Sequence, residues 1–264
     1  MTIALRIFAG FFVAALKNYR QYAANLAFKV FTYPIEVALY LSLWTSIFAS
    51  GTFPKGPGSV VPYYLTVLLL ARLASPFPIV EELENAINSG DLVGYYVRPI
   101  PYWTVMAGRS LASFCVNLVL LFPLVLGVMV FFHELEPTPV RLLEFLALLV
   151  PSNLIHLAIY SCVGMLTFWL ERVWGLAFMF AFLSGFLSGF TIPLWIFPDW
   201  LAKIALALPF HFLFHTPVQA LLVGMSLGDF LITFAQELLW IAVLAWICRA
   251  IWEAGRRKFS GHGT

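Results

Sequence analysis

Long apolar runs with very few charges are the feature that most restricts how this chain can fold. Six of them reach or approach the roughly 20 residues that cross a hydrocarbon layer. Backbone groups in lipid must be hydrogen-bonded internally, so the runs predict helices; they are continuous rather than alternating, which argues against a barrel. The predicted spans cover residues 24–50, 60–79, 103–132, 141–170, 173–191 and 229–252.

The composition agrees with this interpretation. Of the 264 residues, 62% are hydrophobic and 11% are charged, whereas a soluble domain has roughly 25% charged residues. Since the chain has too few polar side chains to cover a water-facing surface, we expect an all-α integral membrane protein with a single transmembrane domain over residues 1–264. The formal net charge of +2 is too small to indicate a nucleic-acid partner.

Neither the cysteines nor the histidines indicate a metal site. The three cysteines lie in apolar runs without a C-x-x-C pair, so we interpret them as small buried hydrophobic residues. His211 and His215 are four residues apart, but the only carboxylate close to them in sequence is Asp199. The chain has no G-x-x-x-x-G-K-[ST], H-E-x-x-H or G-x-S-x-G motif, and we expect no catalytic or cofactor-binding residue.

The distribution of Lys and Arg predicts the orientation in the membrane, because cytoplasmic loops carry an excess of both. With six spans, both termini lie on one side. Eleven of the basic residues fall on that side and three on the other, while Arg72 lies inside the second span. We therefore predict cytoplasmic termini and a basic cytoplasmic tail over residues 253–264. The eleven are Arg6, Lys17, Arg20, Lys29, Arg98, Arg109, Arg172, Arg249, Arg256, Arg257 and Lys258, and the three are Lys55, Arg141 and Lys203.

Two segments outside the spans have helical patterns of their own. Residues 1–23 mix apolar with basic side chains and predict an amphipathic helix in the membrane interface, or alternatively an early start of the first span. Residues 192–228 contain four prolines among many aromatic residues. They predict two short re-entrant or interfacial helices on the outer side, about 200–208 and 213–223, with Asp199 as N-cap of the first. An ordinary structured external loop is the alternative.

A short amphipathic helix is predicted between the second and third spans, over residues 79–89. Glu81, Glu82 and Glu84 lie on one side, and Val80, Leu83 and Ile87 repeat at three- and four-residue spacing on the other. Gly90 can end the helix and Asp91 follows it. On the cytoplasmic side, such a helix is suited to a groove on a soluble partner.

Ionisable residues within spans are costly and by default suggest function. The sequence has Glu36 in the first span, Arg72 in the second and Glu237 in the sixth, while Asn153 and His156 follow Pro151 in the fourth. We favour structural pairing over direct substrate contact for the charged residues. The candidate cavity residues are Glu36, Asn153 and His156.

Two stretches resemble the permeases of ABC-2-type transporters. The segment "SGDLVGYYVRPI" after the second span is similar to a stretch of the form G-x-(few)-L-x-x-P in that family. The segment "TIPLWIFPDWLAKIALALPFHFLFHTP" between spans five and six resembles its outer re-entrant hairpin. The leading amphipathic helix resembles its connecting helix. The resemblance rests on the order of features along essentially the whole chain.

The resemblance implies a half-transporter of a bacterial-type cytoplasmic (inner) membrane. Two permeases, the same chain or a sister chain, would pair with two ABC ATP-binding subunits, which would hold ATP and Mg²⁺, so this chain would need no cofactor. Helix 79–89 would be the coupling helix. The complex, surrounded by membrane lipids, would export an amphipathic small molecule, drug, lipid-like or glycan substrate. The ATPase contacts would be Glu81, Glu82, Leu83, Glu84, Ile87, Gly90 and Asp91.

Two other functions remain open. An ion-coupled secondary carrier would need Glu36, Glu237 and His156 to titrate during transport. A membrane-embedded enzyme or assembly factor would need a polar catalytic cluster near one membrane face, and the sequence shows no such cluster.

Overall fold

A computed structural model describes residues 23–49, 60–91, 102–131 and 138–260, together with five separate residues near the N-terminus. Those five, at positions 9, 10, 13, 14 and 17, are helical. The rest of the interfacial helix predicted for residues 1–23 lies outside the described residues, and so does the segment 92–100. Within the described ranges the chain forms helices and turns and no strand.

Nine helices follow one another in the described part of the chain. They are α1 (Ala23–Ala49), α2 (Val60–Leu73), α3 (Phe77–Asn88), α4 (Tyr102–Phe131), α5 (Pro139–Met165), α6 (Trp174–Leu187), α7 (Asp199–Ala207), α8 (His215–Leu222) and α9 (Leu227–Ser260). Short 3-10 turns at Leu166–Phe168, Leu194–Ile196 and Pro209–Leu213 connect some of them.

Four stretches of the described residues are long and apolar enough to cross a membrane: Val61–Asn88, Thr104–Pro123, Pro139–Phe168 and Leu227–Lys258. They overlap the predicted second, third, fourth and sixth spans, and the first of them also includes α3, which was predicted to follow the second span. The predicted first span forms α1, which is 27 residues long. The predicted fifth span forms α6, which is apolar but has only 14 residues, and so is about 21 Å long.

Several boundaries differ from the sequence prediction for identifiable reasons. The helix expected over 60–79 stops at Leu73, because Pro76 and Pro78 break it and begin α3 instead. The helix α9 begins at Leu227, where the Ser226 hydroxyl oxygen accepts a hydrogen bond from the Asp229 N–H at 3.1 Å. It continues to Ser260, so most of the predicted tail 253–264 is helical.

Helix α5 is the centre of the fold, since it contacts α3, α4, α6, α8 and α9. Its start is specified locally, because the Thr138 side chain accepts a hydrogen bond from the Arg141 N–H and Pro139 occupies the first turn. One apolar cluster joins α1, α2 and α4 to the start of α5, and a second joins α3, α6 and α9 to its C-terminal half.

The segment 192–228 folds back onto the bundle. Helix α8 packs against α5 and α2, with Val218 and Ala220 fully buried. The two short helices, Asp199–Ala207 and His215–Leu222, lie within a few residues of the expected positions. Asp199 stands in the first turn of α7, and Pro198 rather than Asp199 occupies the N-cap.

Candidate functional site

The helix α3 is fixed to α5 by its apolar face. Ile79, Val80, Leu83 and Ile87 are buried in the cluster that also contains α5 and α9. Gly164 permits the close approach, because a Cβ atom there would lie 2.8 Å from Leu83 Cδ1, 2.9 Å from Leu83 Cβ and 3.3 Å from Val80 Cα. Displacement of α3 therefore acts directly on α5.

The three glutamates of α3 have different environments. Glu82 forms a salt bridge with Arg109 of α4. Glu84 accepts a hydrogen bond at 3.1 Å from the N–H of Val173, the residue just before α6. Glu81 is exposed, and its carboxylate contacts no side chain among the described residues. Two of the three acids thus hold α3 against neighbouring helices, whereas Glu81 is directed away from them.

The end of α3 agrees with the predicted glycine stop. Ser89 occupies the C-cap, and Gly90 has a φ of 78°, a left-handed conformation that glycine adopts readily. Asp91 is exposed, and its N–H donates to the Ser89 hydroxyl at 3.3 Å. Of the predicted contact residues, Leu83 and Ile87 are buried, whereas Glu81 and Asp91 face outward.

Glu36 is engaged in a salt bridge between α1 and α2. Arg72 Nη2 lies 2.5 Å from Glu36 Oε1, Arg72 Nε donates to Glu36 Oε2 at 3.1 Å, and Arg72 Nη2 donates to Thr32 Oγ1 at 3.1 Å. This two-point contact matches the planar guanidinium to the carboxylate. Structural pairing accounts for Glu36, and its side chain does not line the cavity described next.

A cavity of about 260 Å³ lies among α2, α3, α4 and α5. Asn153 and His156 meet in its wall, and their exposed fractions are only 3% and 5%. Asn153 Nδ2 and His156 Nδ1 have no hydrogen-bond partner among the described residues. The cavity is lined by Arg72, Leu73, Ala74, Ser75, Pro78, Ile79, Glu82, Met106, Arg109, Ser110, Ser113, Asn117, Asn153, His156 and Leu157.

A comparison with known protein families assigns the chain to one of them. The family profile described as ABC-2 family transporter protein matches residues 35–263, which is most of the sequence. The chain belongs to this family. No curated protein and no solved structure matches it. Membership makes it a multi-pass membrane component of an ABC transporter, a transport subunit rather than the ATPase, of a family that generally works with an ABC ATP-binding subunit.

The three groups that an ion-coupled carrier would use have different partners in the permease fold. Glu237 is fully buried between α9 and α5. Its Oε1 lies 3.1 Å from Ser152 Oγ, and the same hydroxyl lies 2.7 Å from the Phe212 carbonyl oxygen. His156 faces the cavity, and Glu36 pairs with Arg72. Among the described residues no hydrogen bond or salt bridge joins any two of the three groups directly.

His211 is buried and His215 is half-buried in the segment 192–228. Burial lowers the pKa of His211 to about 3, so the ring is neutral at pH 7, and its Nδ1 lies 2.7 Å from Thr216 Oγ1. Burial also lowers the pKa of His215, to about 4. Among the residues that the structure describes, no group of three His, Cys, Asp or Glu side chains could hold a metal ion.

Sequence reasoning missed two features of the permease. Arg109 lies in the wall of the same cavity as Asn153. Its place near the start of α4, a charged residue at the edge of an apolar run, was a signal that could have found it. Cys162 and Cys248 approach to 3.2 Å between their sulfur atoms, although they are 86 residues apart. Nothing in the sequence pattern could have indicated that contact.

Proposed function

We propose that this permease is one half of the membrane domain of an ATP-driven exporter. In this proposal two permeases, either two copies of this chain or one with a sister chain, pair with two ATP-binding subunits that carry ATP and Mg²⁺. Each permease spans a bacterial-type inner membrane by six helices with cytoplasmic termini. The segment 1–23 is the connecting helix and 192–228 is the outer re-entrant hairpin. An amphipathic small molecule, drug, lipid-like or glycan substrate is expelled.

The observation that carries the proposal is the packing of α3 against α5 and its polar contacts with α4 and α6. This amphipathic helix has its apolar face buried against α5, and two of its acids contact Arg109 of α4 and the start of α6. An external force on α3 is therefore transmitted to three other helices. Pro78, Ile79 and Glu82 of α3 also line the cavity, so movement of α3 changes its shape.

In this proposal the predicted contact residues have two roles, which follow from their exposure. Glu81 and Asp91, which are exposed, would face the ATP-binding subunit. Glu82, Leu83, Glu84 and Ile87 would hold α3 in position, and Gly90 would end it. This division makes the partner contact testable with a single charge reversal that leaves the internal contacts in place.

The test is co-purification of the full-length chain from its host membranes in mild detergent. We expect a P-loop ATPase to co-purify, and Glu81→Lys to lower its recovery by about tenfold, the effect of roughly 1.4 kcal/mol in binding free energy. The matched control is Glu253→Lys, which reverses an acid at another helix position, where Glu253 pairs with Arg256. Recovery should be unchanged in that control.

Two results would contradict the proposal. One is the absence of any associated ATPase together with membrane ATP hydrolysis that does not depend on this chain. The other is substrate movement driven by a proton gradient without ATP, which would favour the ion-coupled carrier.

A further inference from the structure

The cavity among α2, α3, α4 and α5 contains a surplus of guanidinium N–H donors. Arg72 uses Nε and Nη2 on Glu36 and Thr32, and Arg109 uses Nη1 on Glu82. A guanidinium has five N–H donors. In the described part of the chain, Arg72 Nη1 and Arg109 Nε and Nη2 therefore have no partner.

Two deeply buried side chains add to that surplus. Asn153 Nδ2 and His156 Nδ1 are unpartnered among the described residues, although both side chains are more than nine-tenths buried. Leaving a buried polar group unsatisfied costs about 1–3 kcal/mol. A molecule that brings several acceptor oxygens would satisfy Asn153 Nδ2, the two arginines and, in the tautomer with its proton on Nδ1, His156 as well.

The space around these groups favours a ligand that is polar at one end only. A volume of about 260 Å³ is far above the roughly 10–15 Å³ that a single water needs, and it suits a head group. A second cavity of about 20 Å³ shares Asn153 and His156, and the rest of its wall is mostly apolar. Its apolar residues include Leu70, Phe114, Leu149, Leu213 and Phe214.

We propose that this cavity binds the phosphate or carboxylate group of an anionic amphiphile, and that this is the class of molecule the permease moves. The second part rests on the proposed export function. Arg72 and Arg109 supply the charge-assisted hydrogen bonds, which are the strong ones for such oxyanions. Asn153 and His156 contact the head group from the closed end of the cavity.

The anion and Glu82 compete for Arg109. Glu82 lines the cavity and forms the salt bridge with Arg109, so an oxyanion that takes the guanidinium weakens the attachment of α3 to α4. Occupancy of the cavity is thereby communicated to the helix that we propose contacts the ATPase. Because of this competition, removing the charge of Arg109 should weaken binding of the ligand, whereas removing the charge of Glu82 should strengthen it.

The test measures binding of dodecyl phosphate to the full-length permease in neutral detergent, with dodecyl maltoside as the uncharged comparison of equal tail length. We expect Arg109→Gln to raise the Kd of dodecyl phosphate by about tenfold or more, because it removes a charge-assisted contact. Asn153→Leu should raise it in the same direction. Glu82→Gln should lower it, since the competing carboxylate is gone.

The matched control is Arg256→Gln. Arg256 is paired with Glu253 and its side chain is 50% exposed, compared with 47% for Arg109, but it is remote from the cavity lining. Its removal should leave the Kd unchanged. The thermal unfolding midpoint of each variant shows whether it is folded. If Arg109→Gln fails to fold, Asn153→Leu and Glu82→Gln provide the test.

Two comparisons distinguish the source of the anion. Competition by sn-glycerol 3-phosphate would show that a soluble phosphate suffices. Tighter binding in phosphatidylglycerol than in phosphatidylcholine nanodiscs, without such competition, would indicate a lipid head group. Either outcome supports the anion site.

Equal affinity for charged and uncharged probes would overturn the proposal, and so would a Glu82→Gln variant that binds dodecyl phosphate more weakly. These results are independent of ATPase recovery. If an ATPase co-purifies but the anion does not bind, only the cavity proposal fails. If the anion binds but no ATPase associates, the export function fails.

Discussion

Gly164 allows a direct test of the contact between α3 and α5. In Gly164→Ala the new methyl group would lie 2.8 Å from Leu83 Cδ1 and 3.3 Å from the backbone at Val80, which is closer than ordinary van der Waals contact of 3.5–4.0 Å. Overpacking of this kind costs about 1–3 kcal/mol, while Ala is favoured over Gly within a helix by about 1 kcal/mol. We expect a net loss of about 0–2 kcal/mol in the free energy of unfolding.

The matched control is Gly175→Ala in α6, where nothing lies within 4 Å of the added Cβ. That variant should gain up to about 1 kcal/mol from helix propensity alone. The two alanine variants should therefore differ by about 1–3 kcal/mol. The measurement is thermal unfolding of the purified permease in detergent, monitored by tryptophan fluorescence.

A second readout tests the role of the contact. If α3 transmits force to α5, Gly164→Ala should retain the ATPase but lower the amount of substrate exported for each ATP hydrolysed. Adding Leu83→Ala should not restore coupling fully, because Leu83 Cβ remains 2.9 Å from the new methyl group. Equal stability and equal coupling in the Gly164 and Gly175 variants would refute the close approach.

Three further predictions concern other contacts. Ser152→Ala should lower stability by about 1–3 kcal/mol in a denaturation assay, because it strips a buried carbonyl and Glu237 of their shared partner. Glu237→Gln should be tolerated, since the amide oxygen can still accept a hydrogen bond from the Ser152 hydroxyl; equal damage from both would contradict this. Copper phenanthroline should link Cys162 to Cys248, whose sulfur atoms are 3.2 Å apart, and lower the three titratable thiols to one; three remaining thiols would refute the contact. Gly189→Ala should cost about 1–3 kcal/mol in thermal unfolding, because its φ is 85° and the Cβ would meet a tyrosine hydroxyl at 2.8 Å; an unchanged midpoint would contradict the conformation.

Local patterns predicted much of the fold and part of the site. The four candidate spans and the two short helices of the segment 192–228 appear near their expected positions, because apolar length and proline breaks act within a few residues. The amphipathic pattern of α3 was similarly readable, and its apolar side is the buried one. Its start was misplaced by two residues, since Phe77 and Pro78 were assigned to the preceding span.

The environments of individual charges could not be predicted in the same way. Glu81, Glu82 and Glu84 are neighbours in sequence, yet Glu82 pairs with Arg109, which is 27 residues away, and Glu84 meets Val173, which is 89 residues away. Periodicity specifies a face of a helix but not the residue that packs opposite it. That choice depends on how distant helices cross.

The sequence by itself determined that this is a helical membrane protein and placed it in the ABC-2 transporter family, because apolar composition, span length and the order of segments are properties of the linear chain. Only the tertiary structure decided that Glu36 forms a salt bridge with Arg72 and that Asn153 and His156 share a cavity with Arg109. It also showed that α3 packs closely against α5 at Gly164. These features arise from packing between helices that are distant along the chain, which no local pattern encodes.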